Sequence, residues 1–69
     1  MINQFSKRIR ELRGEKNITQ KELAVAVGVF ERTVSYLEQG KRECDFDTLI
    51  QLAQYFNITT DYLLDIADL

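Results

Sequence analysis

The sequence predicts an all-α fold, a compact bundle of five short helices spanning residues 1–69 as a single domain. Three observations predict it. Apolar residues recur at helical spacing along most of the chain. The breaks between those runs fall on Gly or Asn, residues that tolerate the left-handed backbone of a helix end. No proline and no low-complexity linker interrupts the pattern.

The first helix is expected from about residue 3 to 16, with Phe5, Ile9 and Leu12 inward and Lys7, Arg8, Arg10 and Glu11 on the other faces. Asn17 is its stop. Thr19-Gln20-Lys21-Glu22 reads as a capping box, in which the Thr19 hydroxyl and the Glu22 carboxylate satisfy each other's backbone donors. A second helix then runs through Leu23, Ala24 and Val27 to Gly28. The third fits Glu31 to Gln39, with Val34 and Leu37 inward and Gly40 ending it. Asp45 can cap a fourth, Phe46 to Phe56, whose apolar set is Leu49, Ile50, Leu52, Ala53 and Phe56. Asn57 closes that helix and Ile58 plugs the core. Thr59 caps a short fifth helix through Tyr62, Leu63 and Leu64.

Composition removes several function classes. With no His and Cys44 as the only cysteine, clustered zinc ligands, an internal disulfide and His-based catalysis are excluded. No nucleophile motif is recognisable among the remaining Ser, Thr, Lys and carboxylates, so an enzyme is not expected, and neither is a cofactor or metal. No apolar run approaches the roughly 20 residues of a membrane helix, and MINQFSKRIRELR does not read as a signal peptide. A core this small rarely supplies more than about 3–5 kcal/mol unaided. An efficient helical bundle, an oligomer or both is therefore expected. Cys44 reads as a small loop residue.

The net charge of −2 hides an asymmetry. Residues 1–44 hold all nine Lys and Arg against six Glu, whereas residues 45–69 hold five Asp and no base. Such a division suits one face that meets an anion and a remainder kept away from it, and it equally suits ordinary solvated helix surface.

Residues 20–39 carry the most information. Leu23, Val27, Val29, Val34 and Leu37 fit two helices meeting across a short turn. Ala24 is small where the two axes would cross closely, and Gly28 sits where a positive φ is expected. Small residue, four-residue gap, Gly, apolar residue and a second short helix is the helix-turn-helix pattern.

On these residues the chain resembles the Cro and repressor family of bacterial and phage helix-turn-helix regulators, often called Xre-like. The resemblance covers RIRELRGEKNITQKELAVAVGV, RTVSYLEQGKRE and DTLIQLAQYFNITTDYLL. It implies a lambda-repressor-like DNA-binding domain, cytoplasmic in a bacterial host, phage-encoded or not, and associated with the nucleoid. Its third helix would enter the major groove of double-stranded DNA by its N-terminal end. Glu31, Arg32, Ser35 and Tyr36 would then face base edges, Arg32 being suited to pair with guanine O6 and N7. Gln20, Lys21, Gln39, Lys41 and Arg42 would hold phosphates, contacts that position without reading sequence. Arg13 and Glu38 match a pair that forms a structural salt bridge in the family. A regulator of this kind, a repressor acting as a homodimer on an inverted repeat, is the reading the resemblance supports. The apolar C-terminal segment, with Tyr62, Leu63, Ile66 and Leu69, is the expected dimer contact.

The chain also departs from the family. Phe30 stands where the family carries a Ser or Thr cap, and phenylalanine cannot cap. Val25 and Ala26 are apolar where family members are usually polar, and Phe56-Asn57 replaces the usual Leu-Gly. The Val25, Ala26 and Phe30 patch has three readings: scattered surface residues, contacts to thymine methyl groups, or a docking surface for a protein partner. The last would make the chain a protein-binding module, antitoxin-like or antirepressor-like, using an apolar patch around Val25 and Phe30.

Overall fold

The computed structural model describes residues 4–64. They form α1 (Gln4–Lys16), α2 (Gln20–Val27), α3 (Glu31–Gln39), α4 (Phe46–Phe56) and α5 (Thr60–Leu64), with no strand among the described residues. One core gathers a stripe from every helix: Phe5 and Ile9 of α1, Leu23, Ala24 and Val27 of α2, Val34 and Leu37 of α3, Leu49, Leu52 and Phe56 of α4, and Leu63 of α5. Each large side chain so enclosed contributes about 1.5–3 kcal/mol relative to exposure. α2 packs most extensively on α3, while α1 lies against α3 and α5, and α4 against α2 and α5. This holds α3 by its Val34–Leu37 face and leaves its opposite face outward.

The first four helices end in one way. Asn17, Gly28, Gly40 and Asn57 all take positive φ, between 57° and 78°. After each of them the chain turns back and the next residue's N–H reaches the carbonyl five residues earlier: Ile18 to Arg13, Val29 to Ala24, Lys41 to Tyr36 and Ile58 to Ala53, at 3.0–3.3 Å. This is the Schellman arrangement, which satisfies carbonyls the helix leaves open. In three cases the residue that follows is apolar (Ile18, Val29, Ile58) and packs against the core. After α3 it is Lys41, and it is exposed.

The helix starts are less uniform. The capping box at α2 is complete, with Glu22 N–H donating to Thr19 Oγ1 at 3.0 Å and Thr19 N–H to Glu22 Oε1 at 2.8 Å. Thr59 Oγ1 accepts from Tyr62 N–H at 3.0 Å. Two expectations from sequence need correction here. Asp45 has the extended backbone of an N-cap but its side chain makes no cap hydrogen bond. The neighbouring Thr48, chiefly its side chain, holds the Asp45 pKa below the ordinary value. Ile50, placed in the apolar set of the fourth helix, is 38% exposed, because its position falls off the Leu49–Leu52–Phe56 stripe. A third correction concerns Leu63. It is completely buried in the core of its own chain, which removes it from the expected dimer contact. The α1–α5 packing consumes it. Ile66 and Leu69, the other two aliphatic residues of that expected contact, lie outside the described residues.

Candidate nucleic-acid interface

The turn between α2 and α3 sets the geometry of the site. Gly28 reverses the chain in the left-handed region (φ 78°, ψ 32°), its N–H bonded back to the Ala24 carbonyl. Phe30 then resumes extended backbone (φ −82°, ψ 151°) and opens α3 with no side-chain cap. Its carbonyl accepts from Thr33 and Val34 N–H at 3.0 and 3.3 Å. Because Val34 and Leu37 are anchored in the core, Glu31, Arg32 and Tyr36 project outward, with Ser35 half-buried beside them. Tyr36 is 42% exposed.

The residues expected to hold phosphates divide into two groups. Lys21, on the first turn of α2, and Lys41 and Arg42, just past α3, are exposed. Gln20 and Gln39 are engaged inside the chain. Gln20 Nε2 donates to Glu38 Oε1 at 3.1 Å, and Gln39 Nε2 donates to Ser35 Oγ at 2.7 Å. A carboxamide carries two N–H donors, so each Gln keeps one with which to meet an anion while the other fixes its orientation. The Gln39–Ser35 contact follows from the i, i+4 spacing of one helical face. The Gln20–Glu38 contact is tertiary, and no local signal points to it.

Glu38 is the buried charge of the site. Its carboxylate accepts from Arg13 Nε at 2.7 Å and Nη2 at 3.2 Å, as well as from Gln20. Arg13 Nη1 donates to the Ile18 carbonyl at 3.0 Å. The Glu38 hydrogen bond raises the Arg13 pKa above its already high ordinary value, so the guanidinium stays charged. One ion pair therefore links α1 to α3, and Gln20 ties the start of α2 to the same point.

Three aromatic contacts were not foreseen from the sequence. The Arg8 guanidinium carbon lies 4.3 Å from the Tyr62 ring centroid, Lys16 Nζ lies 5.2 Å from that of Tyr55, and the Arg32 guanidinium carbon lies 6.0 Å from that of Phe30. Residues two apart do not face each other within a helix. Phe30 meets Arg32 because it still has the extended backbone that precedes α3. Val25 and Phe30 are the most exposed apolar residues of this region, at 76% and 73%.

An open groove of about 480 Å³ lies beside the Lys41–Arg42 loop, lined in part by Phe5, Cys44, Leu49 and Leu64. Burial, with a smaller push from Asp45, raises the Cys44 thiol to about 11, which keeps it protonated and unreactive near neutrality. Among the described residues no cluster of His, Cys, Asp or Glu is placed to hold a metal, and no helix is long and apolar enough to cross a membrane.

Two helices locked across a Gly turn, the second presenting an anchored helix with a free polar face, define the helix-turn-helix class of DNA-binding modules. The Helix-turn-helix family profile matches residues 9–63. The chain belongs to this family, in its Cro and repressor (Xre-like) branch, a family of DNA-binding transcriptional regulators rather than an enzyme class. It is 40% identical over 60 residues to the HTH-type transcriptional regulator ImmR of Bacillus subtilis, covering 87% of this chain and 47% of that one. The chain thus spans about half the length of the curated relatives it matches. The P22 c2 repressor, solved with a synthetic operator, superposes with a TM-score of 0.84 at 32% identity, over 87% of this chain and 91% of that one. The restriction-modification controller protein C.AhdI of Aeromonas hydrophila gives 0.82 at 31% identity, over 90% and 94%.

Proposed function

We propose that this chain is a sequence-specific DNA-binding regulator, a repressor, that pairs as a homodimer on an inverted-repeat operator in the cytoplasm. The observation that carries the reading is the anchoring of α3. Val34 and Leu37 are buried at 1% and 3% exposure while Glu31, Arg32 and Tyr36 are exposed on the other side. A rigid helix with a polar outer face is what the major groove accepts. The similarity to a repressor solved on its operator supports the same reading.

In this arrangement Arg32 reads a guanine, Glu31, Ser35 and Tyr36 adjoin it, and Lys21, Lys41 and Arg42 grip phosphates on the two flanks. Gln20 and Gln39 offer their second amide donors to the backbone. Tyr62, 47% exposed on α5, is the described residue that remains for the dimer contact once Leu63 is assigned to the core. A second copy sets two reading helices about one turn of the duplex apart.

The test is selection of binding sites from a random duplex pool, with an Arg32→Ala/Tyr36→Ala double variant beside the wild type. Enrichment of an inverted repeat that the double variant loses supports both specific reading and the dimer. A folded wild type that enriches no sequence removes the proposal. The exposed Val25 and Phe30 then become the surface to probe for a protein partner, whose binding through apolar contacts would change little with salt.

A further inference from the structure

Phe30 is out of place as a structural residue. It occupies the cap position of the reading helix, provides no acceptor there, and leaves most of its ring in solvent. It is not idle, however. The Arg32 guanidinium carbon stands over its face, 6.0 Å from the ring centroid, within the range in which a cation is held by the ring's negative face.

We propose that Phe30 and Arg32 read two neighbouring base pairs as one unit, Arg32 taking a guanine and Phe30 the C5-methyl group of an adjacent thymine. This rests on the reading of α3 as the DNA-recognition helix. A guanidinium paired with guanine O6 and N7 lies in the plane of that base. Whatever stacks on its face is therefore displaced along the duplex axis, and successive bases are spaced about 3.4 Å apart. The ring centroid lies 6.0 Å from the guanidinium carbon, between one and two base steps, so the ring is beyond the guanine's own level and its near edge is within reach of a flanking pair. In the major groove only thymine offers an apolar group, its methyl, and an aromatic edge is a known partner for it. The pairing also serves Arg32, since a ring beside the guanidinium restricts the side chain before DNA arrives. The exposed apolar residue at the head of α3 thereby becomes a specificity determinant, and a serine there would supply a cap and no such contact.

The experiment compares sites selected from a random duplex pool by the wild type, by Phe30→Ser and by Phe30→Leu. The wild-type site is then resynthesised with deoxyuridine for each thymine that flanks the selected guanine, which removes the methyl and nothing else. The wild type is expected to select a thymine beside the guanine and to bind the deoxyuridine duplex about fourfold more weakly, the loss of one buried methyl group. Phe30→Ser, which gains a cap and so stays folded, is expected to keep the guanine preference and to bind both duplexes equally. Phe30→Leu should retain part of the discrimination. A wild-type site with no thymine next to the guanine, or a deoxyuridine effect equal in wild type and Phe30→Ser, overturns the proposal and leaves specific DNA binding standing. Failure of the folded wild type to enrich any sequence overturns the DNA-reading assignment and this one with it.

Discussion

Arg13 and Glu38 meet as a two-pronged pair, Nε to Oε2 at 2.7 Å and Nη2 to Oε1 at 3.2 Å, although 25 residues separate them in sequence. Glu38 is only 3% exposed and the Arg13 side chain 23%, so the carboxylate depends on its partners while the guanidinium keeps some water. Such a pair need not stabilise a fold more than apolar residues of the same shape. Breaking one side of it, however, leaves an uncompensated charge.

Removal of Arg13 by Arg13→Ala is therefore expected to destabilise the chain by about 3 kcal/mol, because Glu38 stays buried with only Gln20 to serve it. For a chain of this size that is a fall in Tm of roughly 12–24 °C. The double variant Arg13→Met/Glu38→Leu should recover a large part of the loss. Urea and thermal unfolding of the three proteins measure both effects.

Phe30→Ser restores an acceptor at the head of α3. The gain expected is about 0.5–2 kcal/mol, read as a higher urea midpoint at unchanged m-value. A fall in stability would show that the ring–guanidinium contact with Arg32 outweighs the missing cap.

Leu63 and Tyr62 are neighbours in sequence with opposite environments. Leu63→Ala is expected to cost about 2–5 kcal/mol by opening a cavity in the core. Tyr62→Ala removes a half-exposed ring and its contact with Arg8, worth about 0.5–1 kcal/mol. Chemical denaturation of the two variants separates them, and sedimentation of wild type and Tyr62→Ala tests whether the chain pairs as proposed and whether Tyr62 takes part.

Cys44 should resist alkylation in the folded protein near neutral pH and titrate, by thiolate absorbance, at about 11. Its folded pKa lies above the ordinary thiol value of 9.0, so folding favours the protonated thiol. That contribution is complete below about pH 9 and is lost as the pH rises through 11. Cys44→Ser should flatten this part of the pH–stability curve.

Lys41→Ala is expected to weaken DNA binding alike across sequences and to lower the slope of log K against log salt by about 1. Arg32→Ala should instead relax the base preference. Binding isotherms at several salt concentrations distinguish a phosphate contact from a base contact.

The helix bounds were legible because their signals are local. Thr19 and Glu22 lie three residues apart, and Asn17, Gly28, Gly40 and Asn57 each mark a helix end by their own backbone tolerance. The outward face of α3 was legible for the same reason, since Val34 and Leu37 fix its phase. What could not be read was which of several suitable side chains a distant partner claims. Leu63 looks like Leu64 in the sequence, and only the packing of α5 on α1 and α4 buries the first and leaves the second partly exposed. Gln20 reads only as a phosphate donor in the sequence, and nothing local shows that one of its amide N–H groups also donates to Glu38, eighteen residues on. Asp45 stands at the cap position with the right chemistry, yet its side chain makes no cap hydrogen bond.

The repeated helix ending has a kinetic meaning. Each of the four corners is specified by a residue at the corner itself, so a helix can stop and reverse before it has met its neighbours. With no proline in the sequence, none of the corners waits on the slow isomerisation that can delay refolding. Helical chains dominated by near-neighbour contacts fold in roughly microseconds to milliseconds. A chain built this way reaches its native form quickly after synthesis, exposing its apolar stripes only briefly.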